Sequence, residues 1–565
     1  MKYIRWYWKN IKDVWWMLAL AIVLQIMIVL CSIGMVIVSK GLIDCVTIGF
    51  DHTFLGDRCG KDTLKVLAVI TFVIIGVKLA SNAGRSWLQT KSNLVMNKNV
   101  KLREFSNILH VESDVRSRFH SGDLMNRINN EINHLTSCAC SSIPNIIGNT
   151  LQFLFAFGYM LYLQPVLAWI LVVIIPVGIV GGKFIILKIR NLTKNVREDE
   201  SRVYSHLQES IQNLQNIKTM EYEGHSWNKS GNLLGAYVTD SMKRLKFSIS
   251  ANLVVNATFS ISYALVFLWG AVGILHGTIT FGVMTAFLQI IGQITGPLLS
   301  LSSDLPGLLY STASIDRLAD IENLPVEIKG KKYVKEGEVA GVRIDNISFA
   351  YTKETGNVFD GFSWEFKPGS RTSIIGETGV GKSTLVKLLL ALERPQKGSM
   401  VIYSKSSEFE VSPESRCNIA YVPQGNSLFS GTVRDNLMMG KPDATEEELR
   451  HVLHVAVADF VDGLPYGMDT QCFETGGGLS EGQAQRIAVA RGLLRPGSIL
   501  VMDEFSSALD PNTETVLMER LSKEFPDKTM IFITHRSKVS EYCDSVLDLE
   551  TEKNSYLCAK FPQEN

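Results

Sequence analysis

Residues 376–384 carry the most specific chemical pattern in the chain. They read Gly-Glu-Thr-Gly-Val-Gly-Lys-Ser-Thr, the G-x-x-x-x-G-K-[ST] pattern of a phosphate-binding loop. Its glycines let backbone N–H groups converge on phosphate oxygens, and the N-terminus of a following helix adds positive potential. The residues predicted to hold ATP here are Gly376, Glu377, Thr378, Gly379, Val380, Gly381, Lys382, Ser383 and Thr384.

Within this loop, Lys382 and Ser383 have separate predicted roles. Lys382 is expected to bridge the β- and γ-phosphates, and the Ser383 hydroxyl to ligate Mg²⁺. The β-rich run 371–375 enters the loop, and 383–390 has the composition of a helix. This strand–loop–helix context argues against a chance glycine-rich turn.

A second apolar strand, predicted over 499–502, ends at two adjacent carboxylates. Asp503 is placed to hold Mg²⁺ through a water molecule, and Glu504 to polarise the water that attacks the γ-phosphoryl group. Strand-end carboxylates also cap loops, so this pair alone leaves a structural role open. The phosphate-binding loop makes the catalytic interpretation the stronger one.

Residues 340–550 resemble the nucleotide-binding domain of ATP-binding cassette transporters. Leu-Ser-Glu-Gly-Gln at 479–483 resembles the family's signature motif, although Glu481 stands where the commonest form has glycine. The resemblance implies that Ser480, Gly482 and Gln483 bind the ATP held by a partner subunit. It also implies that this domain works as a pair.

Further positions match the family in order along the chain. Tyr351 matches the aromatic residue that stacks on adenine, although a core aromatic is the simpler alternative. Gln424 matches the glutamine that ligates Mg²⁺ and links it to the membrane domain, with an ordinary loop amide as the alternative. Asp510 matches a loop at the dimer interface, and His535 the histidine that senses the γ-phosphate. The resemblance therefore implies catalytic roles for Glu504, His535 and Gln424.

The loop before the signature fits the exporter branch of the family only in part. Glu474 and Gly476 match its pattern, whereas Cys472 and Phe473 depart from its usual start.

The N-terminal half of the chain, which precedes these motifs, is rich in apolar runs. A span needs about 20 mostly apolar residues to cross the hydrocarbon core. Six segments qualify, and the connections after the third and fifth are minimal. The predicted spans are about 14–38, 64–88, 141–163, 165–188, 249–275 and 279–308.

The longer connections, after the second and fourth spans, keep helical periodicity and carry Lys and Arg near the spans. With the basic N-terminus, this placement predicts that the N-terminus and the ATPase domain are cytoplasmic. We expect a multi-pass protein of a bacterial plasma membrane. The disulfide Cys45–Cys59 is an open prediction, since both cysteines fall in the one substantial outward loop.

The apolar half also resembles the exporter-type fold of the same family. The loops that contain 121–131 and 208–219 look like the cytosolic loops whose tip helices dock onto the ATPase domains. The expected fold is thus multidomain: an all-α, six-helix transmembrane domain followed by an α/β P-loop ATPase domain. The expected boundaries are 1–310 for the transmembrane domain, 311–335 for a linker and 336–565 for the ATPase domain.

These features predict an ATP hydrolase coupled to transmembrane transport, with ATP and Mg²⁺ as cofactors. The expected partners are a second half-transporter, identical or related, the lipid bilayer and an unidentified substrate. The formal net charge of zero gives no electrostatic support for nucleic-acid binding. The leading functional prediction is export of a peptide, lipid or lipophilic compound. Import of a metal chelate, or an ATP-gated channel or sensor without net transport, remain the alternatives.

Polar residues within the spans do not decide the cargo. They are Asn252, Asn256, Gln289, Gln293 and Lys78. Such groups either line a path or join helices by hydrogen bonds, with Lys78 near the boundary, and we favour the second interpretation.

Overall fold

The computed structural model describes residues 2–47, 53–54, 57–58, 61–112, 121–328, 330–335, 337–352, 356–473 and 478–551. The chain folds into two compact units. The first comprises residues 1–106 and 121–322, and the second comprises residues 107–120 and 323–565.

The first unit is built of helices, several of them longer than a membrane is thick. Their length follows from long apolar runs that continue into polar segments of helical periodicity. A strand pair, β1 (Thr53–Phe54) and β2 (Asp57–Arg58), separates α2 from α3. The helices are α1 (Lys2–Ile11), α2 (Trp15–Thr47), α3 (Lys61–Leu109), α4 (Ser121–Asn126), α5 (Ile132–Ser137), α6 (Ile143–Leu163), α7 (Pro165–Gln212), α8 (Leu214–Thr219), α9 (Glu223–Leu275) and α10 (Phe281–Glu322).

Helices cover the predicted spans, but their number as membrane spans stays a prediction. Among the described residues, three helical segments are long and apolar enough to cross a membrane: Trp15–Thr47, Asp62–Leu109 and Gly122–Leu163. Phe259–Leu275 is a shorter apolar helix. The minimal connections are confirmed, since Gln164 alone separates α6 from α7 and residues 276–280 separate α9 from α10.

Two observations concern the predicted polar and cysteine positions of this unit. Gln293 donates from its amide nitrogen to the Ser32 carbonyl on α2 at 2.8 Å, which is the helix-joining role. Gln289, Asn256 and Lys78 are exposed, and the side chain of Asn252 lies outside the described part. Cys45 is disulfide-bonded, whereas Cys59, its predicted partner, lies outside the residues that the structure describes.

A buried carboxylate joins α10 to the π-helical turn Arg127–Glu131 that follows α4. Glu131 is 2% exposed, and its carboxylate accepts hydrogen bonds from Ser314 and from Arg317, the latter at 2.6 Å. A buried carboxylate needs such partners, because burial without them is costly.

The second unit is an α/β fold of two sheets. Its strands are β3 (Gly341–Phe349), β4 (Phe359–Phe366), β5 (Arg371–Ile375), β6 (Lys397–Tyr403), β7 (Glu408–Glu410), β8 (Ile419–Val422), β9 (Gly431–Thr432), β10 (Gln471–Cys472), β11 (Ile499–Asp503), β12 (Thr529–Ile533) and β13 (Ser545–Asp548). Its helices are α11 (Lys382–Leu389), α12 (Val433–Met438), α13 (Glu446–Val455), α14 (Glu481–Leu494), α15 (Pro511–Glu524) and α16 (Ser537–Glu541).

A five-stranded sheet of order β13-β5-β12-β11-β8 forms its centre. All of its pairings are parallel, so the strands share one carboxyl edge. Ligand sites in open α/β sheets lie outside the carboxyl ends of the strands. The antiparallel sheet β4-β3-β6-β7 forms a second layer.

The two faces of the parallel sheet support different helices. Ile499 and Val501 pack in one apolar core with α11 and the antiparallel sheet. Leu500 and Met502 pack in the other core with α12, α13, α14 and α15. Because strand side chains alternate between faces, α11 and α14 lie on opposite faces of this sheet.

The second unit also contains a piece of the N-terminal half. Val111 forms a β-bridge with Val326, and the Glu327 N–H donates to the His110 carbonyl at 2.7 Å. Glu112 accepts an ion-paired hydrogen bond from Arg394 at 3.0 Å. The predicted docking segment 121–131 lies in the first unit, and docking by 208–219 stays a prediction.

Candidate nucleotide-binding and hydrolysis site

The phosphate-binding loop leaves β5 and ends at the N-terminus of α11, as the sequence predicts. Gly376, Gly379 and Gly381 have φ values of 141°, 89° and 115°, a region that favours glycine. Lys382 is 8% exposed, and its ammonium donates to the carbonyls of Gly376 at 2.5 Å and Glu377 at 3.1 Å. The loop is therefore curled around this ammonium.

Two opposing effects act on the pKa of Lys382. Burial lowers the pKa of Lys382, and the nearby carboxylates of Glu504 and Asp503 oppose that change. Ser383, the next residue, is exposed at the first turn of α11. The loop thus presents a cation and a hydroxyl at a helix N-terminus, which suits a polyphosphate.

Asp503 ends β11 inside the protein, at the carboxyl edge of the sheet. It is 7% exposed, and the Tyr421 hydroxyl donates to its carboxylate at 3.4 Å. Burial raises the pKa of Asp503, and the neighbouring charge of Glu504 raises it further. A buried carboxylate of this kind gains from a cation placed beside it.

Glu504 is held in an uncommon backbone conformation next to three predicted site residues. Its φ is 44°, the left-handed region that L-residues rarely adopt. The Gln424 amide donates to its carboxylate, and His535 Nε2 lies 3.3 Å from its Oε1. The structure therefore brings Glu504, Gln424 and His535 together, as their assignment to one catalytic group requires.

Tyr351 lies against the helix that follows the phosphate-binding loop. Its hydroxyl is 3.2 Å from the Thr384 hydroxyl, and the Lys387 ammonium lies 5.1 Å from its ring centroid. Tyr351 is 46% exposed, so part of this residue remains open to solvent. The alternative of a core aromatic does not describe this position, and an exposed ring beside the loop fits the predicted stacking on adenine.

The signature residues begin α14. Ser480 Oγ accepts from the Gln483 N–H at 3.3 Å, and the Gln483 side chain accepts from the Ser480 N–H at 2.9 Å, which is a capping box. A Cβ on Gly482 would approach the Ala508 carbonyl oxygen to 2.7 Å. The signature of this chain thus packs against its own 504–508 segment, and its helix lies across the sheet from α11.

Asp510 and the loop before the signature complete the predicted set. Asp510 caps α15, accepting from the backbone N–H groups of Asn512 at 3.1 Å and Thr513 at 3.0 Å. The hydrogen bond that the Thr513 hydroxyl donates to Asp510, at 2.6 Å, lowers the pKa of Asp510 most, and the backbone bonds lower it further. Its contact with nucleotide stays a prediction, and Glu474 and Gly476 lie outside the described residues.

Sequence reasoning missed three residues that hold these motifs together. Gln485 donates to the Glu504 carbonyl at 2.9 Å, and Arg536 donates to the Ser507 and Leu509 carbonyls at 3.1 Å each. Arg491 donates to the Ser427 carbonyl and hydroxyl. A glutamine or arginine gives no signal of burial in a sequence; the available hint was closeness to the recognised motifs.

The donor set fits Mg²⁺ held together with a nucleotide. Ser383, Gln424 and Asp503 offer hydroxyl, amide and carboxylate oxygens, which this cation prefers. Within the described ranges, no group of three or more His, Cys, Asp and Glu side chains could hold a metal.

The geometry defines a P-loop ATPase unit in a chain with membrane-type helices. Comparison with known proteins gives the family: residues 18–298 match the model of the ABC transporter transmembrane region, and residues 359–507 match the ABC transporter model. The chain belongs to the ABC transporter family, with the exporter-type fold. It is therefore an ATP-driven transporter that couples ATP hydrolysis to transport.

Relatives of similar architecture match over most of their length. A putative multidrug export ATP-binding/permease protein of Bacillus subtilis is 28% identical over 80% of this chain and 78% of its own. A putative export ATP-binding/permease protein of Rickettsia bellii is 27% identical over 88% and 87%. A fatty acid ABC transporter ATP-binding/permease protein of Mycobacterium bovis is 27% identical over 76% and 68%.

Proposed function

We propose that the chain exports a lipophilic compound as one half of a symmetric dimer with two ATP sites. The observation that carries the dimer is the placement of α11 and α14 on opposite faces of one sheet. The phosphate-binding loop and the signature of one chain therefore contact different nucleotides. A second copy supplies the missing signature to each loop.

Each site divides its tasks among residues of this chain. The loop 376–384 and the exposed Tyr351 ring hold ATP. Ser383, Gln424 and Asp503 would hold Mg²⁺, which would neutralise negative charge on the phosphates. Lys382 exchanges its two loop carbonyls for phosphate oxygens. Glu504 accepts a proton from the attacking water, oriented by Gln424 and His535 at its two carboxylate oxygens. Ser480, Gly482 and Gln483 of the partner close the site.

Binding of ATP favours the closed pair because only that arrangement completes both sites. Hydrolysis removes the γ-phosphate contacts, so the pair reopens and the membrane helices return to their first arrangement.

The proposal of a lipophilic cargo rests on a groove in the first unit. A cavity of about 620 Å³ lies between α9 and α10. Its lining is mostly apolar and includes Phe259, Tyr263, Leu288 and Ile291, with hydroxyls from Ser260 and Thr295. An apolar cavity with few polar groups suits a lipophilic molecule. The names of relatives as multidrug and fatty acid transporters agree with this class.

We propose the plasma membrane of a bacterium as the location, with the N-terminus and the ATPase unit cytoplasmic. The basic residues near the predicted spans support this orientation. The disulfide at Cys45 supports an oxidising environment at the end of α2.

Reconstitution tests the proposal. Purified protein in liposomes should hydrolyse ATP faster with lipophilic compounds, and Glu504→Gln should still bind ATP but lose turnover by about 100-fold or more. Full turnover in Glu504→Gln would show that Glu504 is not the base. In inside-out vesicles, ATP-driven accumulation of cargo supports export, whereas ATP-driven depletion would establish import and contradict the proposal.

A further inference from the structure

Gln485 is a fully buried amide that none of the recognised motifs includes. It lies in the second turn of α14, two residues beyond the signature, and is 1% exposed. Its amide nitrogen donates to the Glu504 carbonyl at 2.9 Å and to Ser507 Oγ at 3.4 Å. Its amide oxygen accepts from the Ala508 N–H at 3.3 Å. One side chain therefore binds the backbone of Glu504 and the loop that follows it.

The segment 504–509 is contacted from two sides. On the α14 side, Gly482 lies so close to the Ala508 carbonyl that a Cβ would approach it to 2.7 Å. On the other side, Arg536 donates to the Ser507 and Leu509 carbonyls. Arg536 follows His535, which itself lies 3.3 Å from the Glu504 carboxylate. Movement of α14 therefore cannot leave the 504–509 segment unchanged.

The backbone of Glu504 needs this support. A non-glycine residue with a φ of 44° is strained, and such residues persist where the surroundings over-determine them. The Glu504 N–H donates to the Ile533 carbonyl at 2.9 Å, and the Glu504 carbonyl accepts from the Ser507 N–H at 3.1 Å and from Gln485 at 2.9 Å. Gln485 is thus the side chain from outside this segment that helps to hold the Glu504 carbonyl, and with it the direction of the carboxylate.

We propose that Gln485 is a positioning residue that couples the two ATP sites of the dimer. Ser480 and Gly482 of one chain contact the ATP of the partner, and Gln485 transmits the resulting position of α14 to Glu504, which acts on the chain's own ATP. The coupling rests on the proposed shared-site dimer. Gln485 is proposed to act without touching either nucleotide, through the backbone of Glu504 and the loop at 507–508 that follows it.

Two substitutions separate positioning from packing. Gln485→Met keeps the volume but removes the hydrogen bonds, and Gln485→Glu keeps an acceptor for the Ala508 N–H while removing the amide donor. Both should lower the kcat for ATP by about tenfold or more, while the Kd of a fluorescent ATP analogue stays within about twofold. The melting temperature reports whether the fold survives.

The carboxyl group that Gln485→Glu introduces can titrate, so the pH dependence of kcat gives a readout that a purely structural role would not produce. Burial raises the pKa of a carboxyl group, and a protonated carboxyl can again donate to the Glu504 carbonyl. Its kcat relative to wild type should therefore rise between about pH 8 and about pH 6. Gln485→Met should show no such recovery. An equal pH profile for both variants would overturn the role of the donated hydrogen bond.

Asn418 provides a matched control at the opposite edge of the sheet. It is 4% exposed, donates to the Lys332 and Ser415 carbonyls and accepts from the Val334 N–H. Asn418→Leu should lower the melting temperature, whereas its kcat per folded protein should stay within about twofold. If the Gln485 variants behave in the same way, Gln485 is only structural and the proposal is overturned.

Mixed dimers of differently tagged chains test the coupling itself. When the partner carries Lys382→Ala, the signature of the first chain has no ATP to contact, and turnover by the first chain falls to a lower, still measurable level. Adding Gln485→Met to that first chain should then lower kcat by less than about twofold further, because the same coupling is already broken. A full, multiplicative loss would overturn the inference. Absence of ATPase activity in the wild type would instead overturn the proposed function, and this inference with it.

Discussion

Lys382 shows how a single residue prepares the loop for phosphate. Its ammonium is held by two carbonyls of its own loop, so the loop curves around a cation. In the proposed function, phosphate oxygens of ATP replace these two carbonyls. A compact point charge suits this curled loop better than a planar guanidinium with a fixed fork.

The first prediction follows from that geometry. Lys382→Arg should weaken ATP binding by about tenfold and abolish most hydrolysis, although the charge is kept. Fluorescent-nucleotide titration and phosphate release measure the two effects. Lys397→Arg, an exposed position at the start of β6, is the control and should leave both within about twofold. Wild-type affinity in Lys382→Arg would show that the curled loop does not select the ammonium.

The second prediction concerns pH. Lys528 packs its ammonium 5.4 Å from the Phe525 ring centroid, and burial lowers the pKa of Lys528 from 10.5 to about 8. The folded state then loses this proton at lower pH than the unfolded state. The resulting destabilisation is complete below about pH 8 and disappears as pH rises towards about 10.5.

Lys528→Met should therefore raise the melting temperature at about pH 7, by the equivalent of about 1–2 kcal/mol after allowing for partial exposure. It should also remove the part of the rise in stability between about pH 8 and pH 10 that this lysine causes. Thermal unfolding of the purified full chain measures both. Lys523→Met, exposed on α15, should change neither; identical pH curves for all three proteins would contradict the assigned burial.

At the scale of elements, strand-to-loop transitions were the most predictable part. The pattern 376–384 requires a strand before it and a helix after it, and β5 and α11 occupy those places. Asp503 at the end of a wholly apolar run placed the end of β11 correctly. These features depend on neighbours in the sequence, so local reasoning finds them.

Contacts between distant elements were not predictable. Glu131 and Arg317 are 186 residues apart in sequence, and each looks like an ordinary charged residue of a polar helix. Gln485 is buried only because α14 packs on the sheet beside the 504–508 segment. The segment at 107–112 joins the second unit by backbone pairing with 326–327, and such pairing leaves no pattern in a single sequence.

The third prediction tests the joint between the turn 127–131 and α10. Arg317→Ala removes the 2.6 Å ion pair from the buried Glu131 carboxylate, which should cost about 1–3 kcal/mol and lower the melting temperature by about 2–5 °C. Lys2→Ala, which breaks the exposed pair with Asp316 on the same helix, should have little effect. Equal shifts in the two variants would show that burial of Glu131 does not matter here.

At the scale of the whole chain, the second unit receives two connections from the first half of the sequence. One is the end of α3, which continues into residues 107–112, and the other is the segment after α10, which pairs with it through Val326 and Glu327. Arg416 fixes Glu327 with two hydrogen bonds, at 3.2 Å and 3.0 Å. It also donates to the Leu390 and Ala391 carbonyls.

Arg416 therefore connects two segments. One is the segment that follows the membrane helices, and the other is the loop that carries Arg394, the partner of Glu112. The last prediction is that Arg416→Lys keeps ATP hydrolysis within about twofold but lowers cargo transported per ATP by about threefold or more. The reason is that an ammonium cannot hold the Glu327 carboxylate and two carbonyls in one plane. Paired measurements of phosphate release and vesicle uptake give the ratio.

Arg434 is the matched control for that ratio, since its guanidinium likewise joins separate segments, here through the carboxylates of Glu446 and Asp469. Its partners belong to α13 and the turn Gly467–Asp469, away from residues 107–112 and 325–327. Arg434→Lys should leave the transport ratio unchanged within about twofold, because it loosens no segment that continues into the membrane helices. If both variants lower the ratio equally, loss of an arginine fork anywhere in the unit uncouples transport, and Arg416 has no special part in it. If Arg416→Lys instead lowers hydrolysis and transport together, its contacts serve the ATPase reaction and not the connection.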